Sequence, residues 1–191
     1  MPVYTHPRDT VTQLEFAQRR PRENVRDFAR PGEVDPRYQP GWSSDWWRVN
    51  HPLGIERLSY ITVVVDDDDK ARRVFLDVLG GTPLSESRSS LTETRDLYIS
   101  LGPQTVLQLS VPETATSLAG RDMAVNGGSL LAVAFTVRDL DAAGDFLRSK
   151  GLSLAARDDQ TIVIDPATSF GAPYRFTTFR APGDPRDAGS A

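Results

Sequence analysis

Residues 56–81 read ERLSYITVVVDDDDKARRVFLDVLGG, and this stretch decides the fold. Glu56 to Val65 is rich in β-branched side chains, which favour a pleated, packed strand. From Ala71 the apolar residues fall at Ala71, Val74, Phe75, Val78 and Leu79, the spacing of one helix face. Asp66 to Asp69 resemble a carboxylate-rich cation loop, but acidic residues at this point also cap and favour a helix N-terminus, and capping is the reading adopted. Gly80-Gly81 ends the helix. Residues 129–154, SLLAVAFTVRDLDAAGDFLRSKGLSL, repeat the unit. Tyr60 falls on Ala132, Asp69 on Asp141, Ala71 on Ala143, Val74 on Phe146 and Phe75 on Leu147. The chain therefore carries an internal duplication of a strand–helix unit.

Each copy is followed by further strand-like runs. The first module reads as strand 57–65, helix 68–79 and strands near 82–88, 94–101 and 104–111, punctuated by Pro83, Gly102-Pro103 and Pro112. Residues 113–128 are expected to be a connection. The second module reads as strand 130–137, helix 139–150 and strands near 152–158, 161–165 and 173–180. Residues 181–191 are expected to be a disordered tail by composition.

Ahead of the modules lies an N-terminal strand and a Pro/Trp-rich arm over residues 1–55. The stretch 19–55 holds five prolines and three glycines, against long regular elements, yet carries Phe28, Tyr38, Trp42, Trp46 and Trp47. Either it is an ordered arm anchored by its tryptophans, or a tail with one docked segment at Trp46–Trp47. Residues 1–18 also match the closing stretch IDPATSFGAPYRF: Pro7 falls on Pro166, Thr10 on Ser169 and, with one gap, Glu15-Phe16 on Arg175-Phe176. Two origins stand: a remnant of a preceding module, or local pairing with a fortuitous match.

Composition narrows the function classes. Of 191 residues 25% are charged and 39% hydrophobic, globular values, and a net charge of −4 argues against a nucleic-acid footprint. With no cysteine, thiolate metal sites and cysteine nucleophiles are excluded. No apolar run approaches the length of a membrane span and no basic-then-apolar leader opens the chain, so a cytoplasmic protein without nucleic-acid or membrane partners is expected.

Two βαβββ modules in tandem resemble the vicinal oxygen chelate superfamily, which comprises glyoxalases, bleomycin resistance proteins and extradiol dioxygenases. ITVVVDDDDKARRVFLDVLGGTPL, AVAFTVRDLDAAGDFLRSKG and DPATSFGAPYRF carry the resemblance, which covers about residues 56–180 (modules about 56–112 and 129–180). It implies an α+β fold in which the modules form a curved eight-strand cup, here with an irregular N-terminal arm. The N-terminal THPRDTVTQLEF resembles the closing strand of methylmalonyl-CoA epimerase-like members, where Glu15 would stand at a metal-ligand position. Strand alternation agrees with a cup: Ile61, Val63 and Val65 form one face, and Tyr60, Thr62 and Val64 the other. Val133, Phe135 and Val137 likewise oppose Ala132, Ala134 and Thr136, and Leu107 and Leu109 oppose Val106, Gln108 and Ser110.

The cup floor is expected to gather Tyr60, Gln108, Ala132 and Arg175, with Thr62 beside them. The resemblance implies that metal-dependent members carry His, Glu, His and Glu at these four positions. Here Ala132 offers no donor, Gln108 only a neutral carbonyl, Tyr60 a phenol of high pKa, and Arg175 a positive charge. A degenerate metal site with no cofactor is expected, and a divalent metal is the alternative. Arg175 suits an anion as an anchor, or forms a structural ion pair with Glu93 or Asp96. His6 and His51, the only histidines, fall outside the cup strands and read as turn and capping residues. Three functions remain open: binding of a small carboxylate or aromatic ligand in the cup; a metal-dependent lyase, epimerase or dioxygenase completed by ligands from elsewhere, Glu15 among them; or a structural domain of a homodimer or larger protein, associating through the arm.

Overall fold

The computed structural model describes residues 3–16 and 43–187. Its centre is an eight-stranded sheet whose strands, numbered along the chain, are β3 (Ile55–Val64), β4 (Thr82–Ser89), β5 (Thr94–Leu101), β6 (Thr105–Pro112), β7 (Ser129–Val137), β8 (Leu154–Arg157), β9 (Thr161–Ile164) and β10 (Arg175–Thr177). The spatial order is β4-β5-β6-β3-β7-β10-β9-β8. Each module is thus the mirror of the other in order. β3 pairs in parallel with β6, β7 in parallel with β10, and β3 and β7 join antiparallel at the seam. The sheet curls into a half-barrel, the cup that the doubled pattern predicts.

Alternation sets the two faces. On the convex side Val63, Val65, Leu107 and Leu109 pack with Ala71, Val74 and Phe75 of the first crossover helix. Val137, Ile162, Ile164 and Phe176 pack likewise with Leu140, Ala143 and Leu147 of α5 (Leu140–Ser149). Asp67 caps α3 (Asp68–Arg72) by accepting from Lys70 N at 2.8 Å, and Asp139 caps α5 by accepting from Ala142 N at 2.9 Å. The aspartate run is therefore helix-capping, as its position implies.

Four local features differ from the sequence expectations. The first helix continues beyond α3 as a π-helix, Arg73–Val78, and this wider turn carries Val78 off the apolar stripe, leaving it 73% exposed. The 113–128 connection contains a helix, α4 (Leu118–Asn126), capped by the Ser117 hydroxyl. Within the arm, α2 (Ser44–Asn50) is regular, and the Trp46 side chain is 56% exposed, while the Trp47 side chain lies outside the described residues. Arg138 Nη2 donates to Val49 O of this segment at 3.0 Å. The expected tail is ordered from Ala181 to Asp187, for reasons that belong to the cup. Phe28, Tyr38 and Trp42 lie outside the described residues.

The N-terminal strand expectation resolves into a hairpin, β1 (Val3–Tyr4) and β2 (Glu15–Phe16) with the one-turn helix α1 (Pro7–Thr10) between them. Its geometry repeats that of the β9–β10 connection. Thr5 N donates to Leu14 O at 2.9 Å as Ile164 N does to Tyr174 O at 2.9 Å. His6 accepts from Arg8 N as Asp165 accepts from Ala167 N. Thr10 and Ser169 each turn a hydroxyl onto the carbonyl four residues back, and Val11 (φ 58°) and Phe170 (φ 57°) share the left-handed conformation. Tyr4 opposite Glu15 corresponds to Val163 opposite Arg175. The hairpin docks on the convex side through Val11, 5% exposed within the first core cluster.

That docking passes over Gly128, where a Cβ would overlap Val11 O. Gly128→Ala is expected to free the hairpin, costing about 1–3 kcal/mol of overpacking and speeding proteolysis near residue 11. Unchanged protection of residues 3–16 by hydrogen exchange would contradict this. No helix among the described residues is long and apolar enough to cross a membrane.

Candidate functional site

The concave face is where the two modules meet. Register places Tyr60 beside Ala134, and Ala134 beside Arg175, in one row across β3, β7 and β10. The next row sets Thr62 between Gln108 and Ala132. Tyr60, Thr62, Gln108, Ala132 and Arg175 thus share the cup face, and all five are at most 4% exposed. They do not share one cavity. Tyr60, Gln108 and Arg175 line a hollow of about 210 Å³. Thr62 lies beneath it, donating to Gln108 Oε1 at 2.7 Å, and Ala132 packs instead with Val64, Ala119 and Leu131 under α4.

Gln108 is the hub of the floor. Its Oε1 accepts from Thr62 Oγ1 and from Arg175 Nη1 (2.8 Å), while Nε2 donates to the Tyr98 hydroxyl (2.8 Å). Both lone pairs of that carbonyl are engaged, so its orientation is fixed. Arg175 is 2% exposed and spends one nitrogen on this bond. Its Nε and Nη2 are buried without an acceptor. An unsatisfied buried donor costs about 1–3 kcal/mol, more when charged. Neither structural ion pair expected for Arg175 forms: among the described residues no carboxylate lies within 4.0 Å of it, and Glu93 accepts from Thr114 at the surface.

Two further buried side chains of the cavity come from β5, and the β4–β5 turn with Arg88, the segment from Asp158 to Thr161 and Phe179 line it as well. Asp96, 4% exposed, accepts from Ser110 Oγ at 2.6 Å. Burial pushes its carboxyl above the usual range, against the hydrogen bonds from Ser110 and Thr94 and the charge of Arg175. Tyr98 stacks edge-on to Tyr60 (5.3 Å, 83°) and lies tilted against Phe179 (5.3 Å, 45°). Burial raises both phenols, so both hydroxyls stay protonated; the Arg175 charge opposes this at each. The signal for these residues was the alternation of DLYIS, in which Asp96, Tyr98 and Ser100 oppose the core residues Leu97 and Ile99.

The segment after β10 forms a strap over part of the cup. Phe179 and Ala181 pack on Tyr60, Tyr98, Val106 and Ala134, with Leu84 beside them. Ion pairs latch it. Asp184 accepts from Arg186 (2.7 Å) and from Arg57 of β3 (3.1 Å), and Arg186 also reaches the Leu58 and Ser59 carbonyls. Asp187 bridges Arg57 and Arg180, each at 2.8 Å, and Arg180 reaches Glu56. Burial pushes Asp184 up, but the Arg186 and Arg57 contacts prevail and hold it below the carboxylate range; the Arg57 hydrogen bond chiefly does the same for Asp187.

The donor set does not suit a divalent cation: the Gln108 carbonyl is already engaged, Asp96 is the one buried carboxylate and accepts from Ser110, no imidazole lines the cavity, and a guanidinium stands in it. Among the described residues no three of His, Cys, Asp and Glu converge on one point. Glu15 is exposed on the hairpin and does not line the cavity. His6 caps α1, and His51 Nδ1 accepts from Leu53 N at 3.2 Å, both outside the cup.

Comparison with known proteins places this geometry. The sequence profile of the Glyoxalase/Bleomycin resistance protein/Dioxygenase superfamily matches residues 57–164. Methylmalonyl-CoA epimerase from Mycobacterium tuberculosis superposes with a TM-score of 0.59 at 24% identity, over 64% of this chain and 87% of that one. A Streptomyces coelicolor methylmalonyl-CoA epimerase variant in complex with 2-nitronate-propionyl-CoA gives 0.56 at 21%, over 64% and 96%. At such identities the likeness is one of fold. No curated protein shows a significant sequence match.

Proposed function

We propose that this chain, which belongs to the Glyoxalase/Bleomycin resistance protein/Dioxygenase superfamily, binds a small organic carboxylate in its cup without a metal ion. The observation that carries the reading is Arg175, a buried guanidinium on the cavity wall whose Nε and Nη2 make no hydrogen bond among the described residues. Those two nitrogens lie along one edge of the guanidinium, the edge that engages a carboxylate bidentately. A hollow of about 210 Å³ equals about seven water molecules of liquid volume, so the ligand is a compact one. Tyr60 and Tyr98 supply aromatic walls, and Gln108 holds the guanidinium in place.

The test is a thermal melt with benzoate-sized carboxylates beside Mn²⁺, Ni²⁺ and Zn²⁺, with metal content measured on protein purified without chelator. A carboxylate at about 100 times its Kd should stabilise by about 2.7 kcal/mol, a rise in Tm of about 5–10 °C for a chain of this size. The metals should give no shift. One equivalent of bound metal with clear stabilisation would overturn the reading and favour the metal-dependent alternative, with ligands brought from another chain.

A structural role through self-association is the second reading. It is favoured by Val3, Tyr4 and Phe16, 64%, 55% and 47% exposed on one hairpin. Sedimentation of the full chain against Phe16→Ser decides it, a dimer that dissociates in the variant being the expected result.

A further inference from the structure

We propose that the ligand of the cup is a small zwitterion, an α-amino acid or betaine, whose carboxylate meets Arg175 and whose cationic nitrogen meets Asp96. The inference rests on the carboxylate reading above and narrows it. Its first support is charge. Two arginines and two aspartates line the cavity: Arg88, paired with Glu113, and Asp158, accepting from Gln160 N and Thr161 N, are exposed, whereas Arg175 and Asp96 are 2% and 4% exposed. Among the described residues neither of the buried two has an opposite charge within 4.0 Å, although each is close enough to feel the other's field. A buried charge is costly unless it is paired. A simple carboxylate would neutralise Arg175 and leave Asp96 alone in a drier cavity, whereas a zwitterion meets both ends at once. A cation arriving at Asp96 would also hold that carboxyl in its ionised form, against the burial that now raises it.

The second support is the wall between the two charges. Tyr60, Tyr98 and Phe179 all line the cavity, the first two edge-to-face and the third tilted. Aromatic faces attract ammonium groups, quaternary ones included. The third support is size, since about 210 Å³ admits a whole amino acid.

Calorimetric titration of two matched sets tests this: leucine, isocaproate and isoamylamine; and betaine, tert-butylacetate and tetramethylammonium. Within each set the second member keeps the carbon frame and carboxylate without the positive charge, and the third keeps the positive charge without the carboxylate. The zwitterion of at least one set is expected to bind at least about 10-fold more tightly than its carboxylate-only partner. Asp96→Asn, which keeps an acceptor for Ser110, should bring that ratio to about one, and Arg175→Gln should abolish binding of both. If carboxylates bind as tightly as the zwitterions in both sets, or if the preference survives in Asp96→Asn, the zwitterion inference is overturned while the carboxylate site stands. If no carboxylate or zwitterion binds, both readings fall together.

Discussion

Arg175→Met is expected to end the response to carboxylates while leaving the protein as stable as before, or more so. Arg175 makes one bond to Gln108 and leaves Nε and Nη2 unmet. Methionine removes both unmet donors and a buried charge, and Gln108 Oε1 keeps the Thr62 hydroxyl. Replacing buried charge by an apolar side chain of similar volume is neutral to stabilising by about 1–4 kcal/mol, a Tm change of about 0 to +16 °C. Asp96 then loses the cation that pulls its carboxyl down, and should take up a proton at higher pH. Differential scanning calorimetry with and without benzoate reads both effects. A loss of more than about 3 kcal/mol would make Arg175 a structural strut and remove the ground for its anchoring role.

Asp184→Ala should have the largest effect on stability. The Asp184 side chain is 2% exposed and takes charge from Arg186 (12% exposed) and Arg57 (21% exposed). Removing the acceptor takes the counter-charge from Arg186, which keeps only the Leu58 and Ser59 carbonyls, and one of two from Arg57, and breaking such a pair costs about 3–5 kcal/mol when fully buried. Arg57 keeps Asp187, and both arginines are partly solvated, so about 3 kcal/mol, or about 6–12 °C of Tm, is expected. The strap should loosen, and Phe179 with it. Acid should do the same to the wild type. Asp184 and Asp187 are held below their ordinary value, so their contribution is complete above that value and is lost as pH falls through the folded one. Asp96 runs the other way: its raised carboxyl makes stability fall as pH rises from the ordinary carboxylate value through the folded one. A melt series from neutrality downward should therefore hold level or climb before it collapses. Asp96→Asn should remove the climb and Asp184→Ala should blunt the collapse. A collapse as steep in Asp184→Ala as in the wild type would show that the latch does not govern acid stability.

The duplicated unit was legible because a half-barrel repeats two simple periods. Ile61, Val63 and Val65 point to a helix, Tyr60 and Thr62 to the cup, and the same alternation recurs in β7. Patterns of that kind presume regular turns, which is why the π-helix at Arg73–Val78 and the exposure of Val78 were not foreseen. α4 escaped notice because it buries only Ala119 and Gly120, too little to impose a stripe. The strap escaped for another reason. APGDPRD has the composition of a loose end, and its order comes from Arg57 and Glu56, far away in sequence. On the cup floor, Tyr60, Gln108 and Arg175 could be placed from alternation alone. That Asp96 faces Arg175 across a gap without pairing is a matter of distance, which alternation does not encode.

The two closing hairpins have a consequence for how this protein could be rebuilt. HPRDTV at residues 6–11 and DPATSF at 165–170 share few side chains, yet both set a capping acceptor, a proline, a hydroxyl folded back and a left-handed last residue in the same order. Such a corner is an interchangeable part, specified by a few rules and indifferent to the rest. One hairpin carries Arg175 where the other carries Glu15. Grafting Glu at 175 onto this scaffold would therefore reverse the sign of the charge at that position of the cup while leaving its corner intact.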